Sequence, residues 1–173
     1  MAFPDYLRKG LDIVFVGYNP GERSARLGHY YAGIGNQFWP LLYEAGLVPK
    51  PLTYEDDQRI LDFNFGLTDL VKRPSRSSAD VTAAETLAGV RLLHEKLLRY
   101  QPWIVCFNGK GIYPRLTGQQ CFLGLQNERI GGSLVFVLPS TSARNGRLSR
   151  QEKLHYFREL KRIVDERNSP SLP

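Results

Sequence analysis

The 173-residue sequence has 42% hydrophobic and 23% charged residue types, enough apolar material for one compact core and little room for a second. Lysine and arginine outnumber aspartate and glutamate by 23 to 17, and the resulting net charge of +6 at pH 7 favours a polyanionic partner. A large multidomain machine and a disordered tail protein are excluded, and two cysteines, Cys106 and Cys121, are too few for a disulfide scaffold or a four-cysteine metal or iron–sulfur site.

In chain order, the first predicted element is a strand over 12–17 (DIVFVG), a continuous apolar run of the kind buried on both faces of a sheet. It is far shorter than the roughly 20 residues a membrane span needs, and too short and acidic for a secretory leader, so a soluble intracellular protein is expected. A helix over 36–45 follows from apolar Phe38, Leu41, Leu42 and Ala45, stopped by Gly46; Phe38 and Trp39 are expected in the core. A weaker strand over 63–67 is interrupted by Gly66. The long helix over 83–100 places Leu87, Val90, Leu93, Leu97 and Leu98 on one stripe and ends before Gln101-Pro102. Strands over 103–108 (WIVCFN) and 134–138 (LVFVL) come next, the latter stopped by Pro139. A last helix over 149–164 opens on Ser149-x-x-Glu152, the spacing of a capping box. Residues 1–167 are expected to form a single domain, and 168–173 (NSPSLP) to fray.

Strands alternating with helices point to an α/β protein, with helices on both faces of a parallel or mixed sheet, and ligands in such sheets bind beyond the carboxyl ends of the strands. Two predicted strands end there in unusual polar loops, Gly17-Tyr18-Asn19-Pro20-Gly21 and Pro139-Ser140-Thr141-Ser142-Ala143-Arg144. On its composition the first reads either as a simple tight turn or as a rigid mount for Asn19, whose carboxamide can orient a water but cannot act as a strong base near neutrality. No Gly-x-Gly-x-x-Gly turn follows the first strand, which weighs against a dinucleotide-binding module.

Residues 17–39 (GYNPGERSARLGHYYAGIGNQFW) resemble the first motif of the thymine-DNA glycosylase and mismatch-specific uracil-DNA glycosylase family, within the uracil-DNA glycosylase superfamily. The similarity continues through Gly66-Leu67-Thr68-Asp69-Leu70-Val71, Arg99-Tyr100-Gln101-Pro102, Phe107-Asn108-Gly109-Lys110 and the 139–144 loop, in order over about 11–165. The resemblance implies a three-layer α/β/α sandwich with a short, mostly parallel sheet. It implies a monofunctional enzyme that flips uracil, or a related damaged or mismatched base, out of DNA and hydrolyses its glycosidic bond, leaving an abasic site. Asn19 would position the attacking water, and Tyr31 would stack on the flipped base in a pocket formed with Gly17, Tyr18, Tyr30 and Thr68. Ser140, Thr141, Ser142, Ala143 and Arg144 would form the loop that enters the duplex, with Arg144 filling the vacated space and Ser140 and Ser142 touching flanking phosphates.

The partners implied are double-stranded DNA containing uracil or G·U and G·T mismatches, and the abasic product. The protein is expected to act as a monomer, without a membrane, cofactor or metal, in a cytoplasmic, nucleoid-associated compartment or in a eukaryotic nucleus. No lysine lies within GYNPG, so a Schiff-base lyase is not indicated.

Three positions depart from the family pattern. Tyr18 replaces the usual Ile, adding a hydroxyl beside the expected pocket, and Tyr30 replaces the second His of thymine-processing members. Asp69 stands where relatives tend to carry Lys or Asn. A carboxylate there reads either as a second catalytic group, able to activate water or stabilise a cationic sugar, or as a capping or salt-bridged residue with Lys72 and Arg73 as partners. Basic clusters at Lys72, Arg73, Arg76 and at Arg144, Arg147, Arg150 are either solvated faces or one phosphate-gripping surface. The alternative from another class is a catalytically weak binder of mismatches or abasic sites.

Overall fold

The computed structural model describes residues 3–169. All four apolar runs become strands: β1 (Ile13–Gly17), β2 (Phe65–Asp69), β3 (Ile104–Asn108) and β5 (Leu134–Leu138), joined by a short β4 (Gly124–Leu125). They form one sheet in the order β2-β1-β3-β5-β4, parallel except for the antiparallel edge pair of β4 and β5. Consecutive side chains on the central strands alternate between two apolar layers, and both are covered, which is why these strands read as unbroken hydrophobic runs.

One layer contains Ile13, Phe15, Phe65 and Phe136 packed against Phe38, Leu41 and Leu42 of α2 (Phe38–Glu44) and Phe157 and Leu160 of α5 (Arg150–Asn168). The other contains Val14, Val16, Val105 and Val137 packed against Leu93 and Leu97 of α3 (Ala83–Tyr100) and Leu116 of α4 (Tyr113–Thr117). The result is a three-layer α/β/α sandwich. A short α1 (Glu22–Leu27) and a 3-10 helix (Tyr54–Phe63) complete the first layer's surroundings; neither carries enough apolar periodicity to be read from sequence. Among the described residues no helix is long and apolar enough to cross a membrane.

Local chemistry places the boundaries. Ser149 caps α5 with both capping-box bonds formed, and Thr82 caps α3 by accepting from the Glu85 amide. At the far end of α3, Gln101 adopts the left-handed conformation (φ 46°) ahead of Pro102. Helix α5 extends to Asn168, four residues past the predicted end at 164, so the expected tail at 168 begins within the last turn; 170–173 lie outside the described residues.

The predicted stripe of α3 is rotated. Leu87 and Leu98 are exposed, at 66% and 55%, while Thr86, Gly89, Leu93 and Leu97 face inward. The reason is Gly89: it lets the helix axis approach the turn after β2 so closely that a Cβ there would overlap the Leu70 carbonyl oxygen. A backbone-to-backbone contact, invisible to hydrophobic periodicity, sets the helix's rotation. Gly89→Ala is therefore expected to destabilise the fold by about 2 kcal/mol or more through overpacking, against alanine's helix-propensity advantage of about 1 kcal/mol. Gly132→Ala, which meets nothing within 4 Å, should stay within about 0.5 kcal/mol of the parent in the same thermal melts.

Candidate active site

The site forms where β1 and β2 end side by side. Parallel pairing sets Gly17 against Asp69, and the ladder continues beyond both strands: the amides of Leu70, Val71 and Ser75 donate to the carbonyls of Gly17, Tyr18 and Pro20. This zip fixes the Gly17–Gly21 loop along its length and fixes Asn19 between two anchored segments. The Asn19 Nδ2 donates to the Arg73 carbonyl at 2.9 Å and to Ser75 Oγ at 2.7 Å, and Ser75 Oγ in turn donates to the Ser77 carbonyl. Because the Arg73 oxygen can only accept, the amide nitrogen must face it, and the carboxamide atom left over is Oδ1, an acceptor.

Asn19 lines a cavity of about 750 Å³ at the carboxyl ends of the strands, shared with Gly17, Tyr31, Asp69, Asn108 and the 140–145 loop. The volume is in the range of sites that hold a small ligand. Two of its walls carry polar atoms with nothing to bond. Among the described residues, only the Tyr31 hydroxyl, Asp69 Oδ2 and Gln37 Oε1 are buried side-chain atoms without a hydrogen-bond partner, and the first two line the cavity.

Asp69 is 4% exposed, and its other oxygen occupies the space a Gly17 side chain would need, 2.5 Å from a built Cβ. Burial pushes its carboxyl up to about 7; the opposing pull of Lys72 and Lys96 is weakened because Asp5 adds to the rise. The salt-bridge reading of Asp69 does not hold. Lys72 and Lys96 both pair with Asp5, the latter at 2.7 Å, and Arg73 pairs with Glu85 at 2.7 Å. Asp5 shows the converse balance: burial disfavours its charge, but Lys72, Lys96 and the Thr68 hydroxyl hold its carboxyl below the usual range.

Tyr31 forms an aromatic platform. Its ring lies 4.2 Å from Phe38 at 34°, and its backbone sits in the left-handed region at φ 55°, an uncommon and strained place for an aromatic residue. Burial, then the Asp69 charge, raises its hydroxyl well above the tyrosine range. The strain is held by its neighbours: buried Asp57 accepts from the Tyr30 amide at 2.8 Å and bonds His29 Nδ1 at 3.0 Å, so His29 serves the scaffold.

Several expected contacts lie elsewhere. Thr68 is fully buried and its hydroxyl donates to Asp5 at 2.7 Å, so it supports the floor from behind and does not line the cavity. Tyr18 borders the cavity, but its hydroxyl is engaged with Thr86 of α3 at 3.2 Å, away from where a pocket hydroxyl was expected. Tyr30 is 2% exposed and offers the cavity an edge only; its hydroxyl donates to the Pro4 carbonyl and accepts from Lys72.

In the second loop, Thr141 lines the cavity but spends its polar atoms inside the protein, as an anchor. It is 1% exposed, exchanges two hydrogen bonds with the Asn108 carboxamide and accepts from the Gln37 amide. Lys153, 2% exposed on α5, fastens the loop's far side by donating to the Asn145 carbonyl. Ser140, Ser142, Ala143 and Arg144 do line the rim, the Arg144 guanidinium resting on the Arg76 carbonyl at 2.6 Å. Of the two basic clusters, Arg76 and Arg144 reach the cavity, whereas Lys72, Arg73 and Arg150 are committed to carboxylates.

Sequence reasoning missed Phe3, which lines the cavity edge-to-face with Tyr30, as well as Asp5, Asp57, Ser75 and Lys153. None carries a local signal, since each acts on a partner distant in sequence. Asn108 lies in the Phe107–Lys110 motif, and its part in anchoring Thr141 leaves no local trace in the sequence. Among the described residues, no three His, Cys, Asp or Glu side chains converge as metal ligands.

The family model described as the Uracil DNA glycosylase superfamily matches residues 4–161. The chain is also similar to a solution NMR structure of a candidate uracil DNA glycosylase from Methanosarcina acetivorans, at 27% identity and a TM-score of 0.60, over 92% of this chain and 97% of that one.

The buried carboxyl carries a stability prediction. A folded-state value near 7 lies above the roughly 3.9 of an unfolded aspartate, so the folded protein keeps this proton more tightly. Its contribution is complete below about pH 4 and is lost as pH rises to about 7. Asp69→Asn should accordingly melt several degrees above the parent at pH 8, with the gap closing toward pH 4. A gap constant over that range would show that Asp69 titrates normally.

Proposed function

This chain belongs to the uracil DNA glycosylase superfamily, and on that premise we propose that it hydrolyses the N-glycosidic bond of uracil in DNA, within the mismatch-specific branch. The observation that carries the reading is the pairing in one cavity of a fixed carboxamide with a free acceptor oxygen, Asn19, and a buried carboxyl with one oxygen unpartnered, Asp69. The branch assignment rests on the GYNPG loop, the Asn-x-Phe-Trp helix start and the PSTSAR loop occurring in that order.

In the proposed reaction the target nucleotide leaves the duplex and its base enters against Tyr31, since a base stacked in the duplex cannot enter the cavity. The C1′–N1 bond breaks with its electron pair going to the departing base, and cationic character develops on the sugar. Asn19 Oδ1 accepts a hydrogen bond from water and aims a lone pair at C1′. The ionised Asp69 carboxylate stabilises the cation and takes the proton the water loses as its oxygen bonds C1′. A carboxyl near 7 is matched to that task around neutrality, whereas one at the ordinary value would be a weak base.

Arg76 and Arg144 supply the phosphate-facing charge, and affinity for duplex should fall steeply as salt rises. A flat salt dependence would count against that surface.

Single-turnover excision from a G·U duplex, read as alkali-labile strand scission, tests the roles. Asn19→Ala should lower the rate about 100-fold or more. The parent rate should rise with pH to a plateau above about 7, because the working form of Asp69 is the carboxylate; Asp69→Asn should be slower by about 100-fold and lose that rise. Near-normal excision by Asp69→Asn removes it from the mechanism. Tight binding without scission by the parent would establish the mismatch-binding alternative.

A further inference from the structure

The most exposed large apolar side chain among the described residues is Ile34, at 83%, and it stands on the rim of the cavity. A lone exposed isoleucine needs no explanation in itself. This one is presented by a built turn. The Asn36 amide donates to the Gly33 carbonyl at 3.0 Å, Gly35 takes the left-handed conformation at φ 77°, and Ile34 occupies the corner between the two glycines, which cover none of it. The turn is tied at its base: Asn36 Oδ1 accepts from the Phe38 amide, and the Gln37 amide donates to Thr141. A Cβ on Gly35 would come within 3.1 Å of Ala143 Cβ, so the Ile34 turn packs directly on the loop that carries Arg144.

Resting on the glycosylase reading above, we propose that Ile34 is a second insertion element: an apolar prong that packs into the duplex at the mouth of the cavity, beside the nucleotide being extruded, while Arg144 acts from the adjoining loop. The chemistry of the two prongs is complementary. A base step opened by extrusion exposes apolar ring faces, which an aliphatic side chain covers well and a guanidinium covers only in part, and proteins that kink DNA insert isoleucine in this way. The rigid turn matters because a prong ordered before binding loses little conformational entropy on insertion. Arg144 must leave the Arg76 carbonyl to reach the same region, whereas Ile34 needs no rearrangement to do so.

The test measures binding of the full chain to a duplex with one tetrahydrofuran abasic-site analogue, over a series of salt concentrations. The parent, Ile34→Ala and Ile34→Leu are compared. Ile34→Ala should bind about tenfold more weakly, the loss expected when part of an isoleucine side chain no longer leaves water. Ile34→Leu should stay within about twofold of the parent, and the slope of log Kd against log salt should be the same for all three, since no phosphate contact is touched. A 2-aminopurine placed beside a uracil should brighten less on binding Ile34→Ala than on binding the parent. Equal binding by the parent and Ile34→Ala overturns the proposal, as does an equal loss in Ile34→Ala and Ile34→Leu. Excision of uracil by the parent is scored separately: its absence refutes the glycosylase reading, while the abasic-site measurements still decide the role of Ile34.

Discussion

Gly17 has no side chain, and the carboxyl group of Asp69 occupies the space where one would be. That contact follows from the pairing of β1 with β2, which sets the two residues opposite each other at the last rung of the ladder. With Gly17 beside it and Tyr31 near it, the carboxyl is almost wholly buried at the cavity wall and has no partner for one of its oxygens. An uncompensated carboxyl in such a place costs stability, and the fold carries that cost through its two well-filled apolar layers. The strained backbone of Tyr31 is a second cost at the same spot, held by the buried Asp57 pair behind it.

Two aspartates within this region have opposite environments. Asp5 receives Thr68, Lys72 and Lys96 and is held ionised; Asp69 receives none of them and is pushed toward neutrality. By drawing both lysines to itself, Asp5 keeps their charges close enough to moderate Asp69 but prevents them from pairing with it. Divergent environments for like groups are how one fold separates a structural ion from a group free to exchange protons. The N-terminal segment is thus part of the site's electrostatics, although it lies more than sixty residues from Asp69 in the chain.

The rim is organised on the same principle of fixed supports under free groups. Thr141, Asn108, Lys153 and the backbone amide of Gln37 spend polar atoms in holding the second loop, which leaves Ser142, Ala143 and Arg144 projecting. Asn19 is built likewise: its nitrogen is spent on Arg73 and Ser75 so that its oxygen is fixed in place. Pre-organisation of this kind lets a neutral amide matter in catalysis, because it need not reorganise when charge develops.

The strands and the three main helices were legible in the sequence because burial on two faces, or on one helical face, leaves a periodic trace in residue type. The two loops at the strand ends were legible for a related reason: glycine, proline and asparagine cluster where the backbone must turn sharply. Those signals mark the Asn19 loop and the loop that ends in Arg144, whereas Asp69 and Tyr31 are marked by the resemblance to the glycosylase family. What each side chain touches was decided elsewhere. Thr68 turned to Asp5, Tyr18 to Thr86 and Thr141 to Asn108, and the α3 stripe rotated about Gly89, because partners far along the chain compete for each polar atom and each square of apolar surface. Local sequence carries no record of that competition. The isolation of Asp69 is its clearest outcome, since its nearest cations in sequence, Lys72 and Arg73, are taken by Asp5 and Glu85, and only the assembled fold brings those carboxylates within reach.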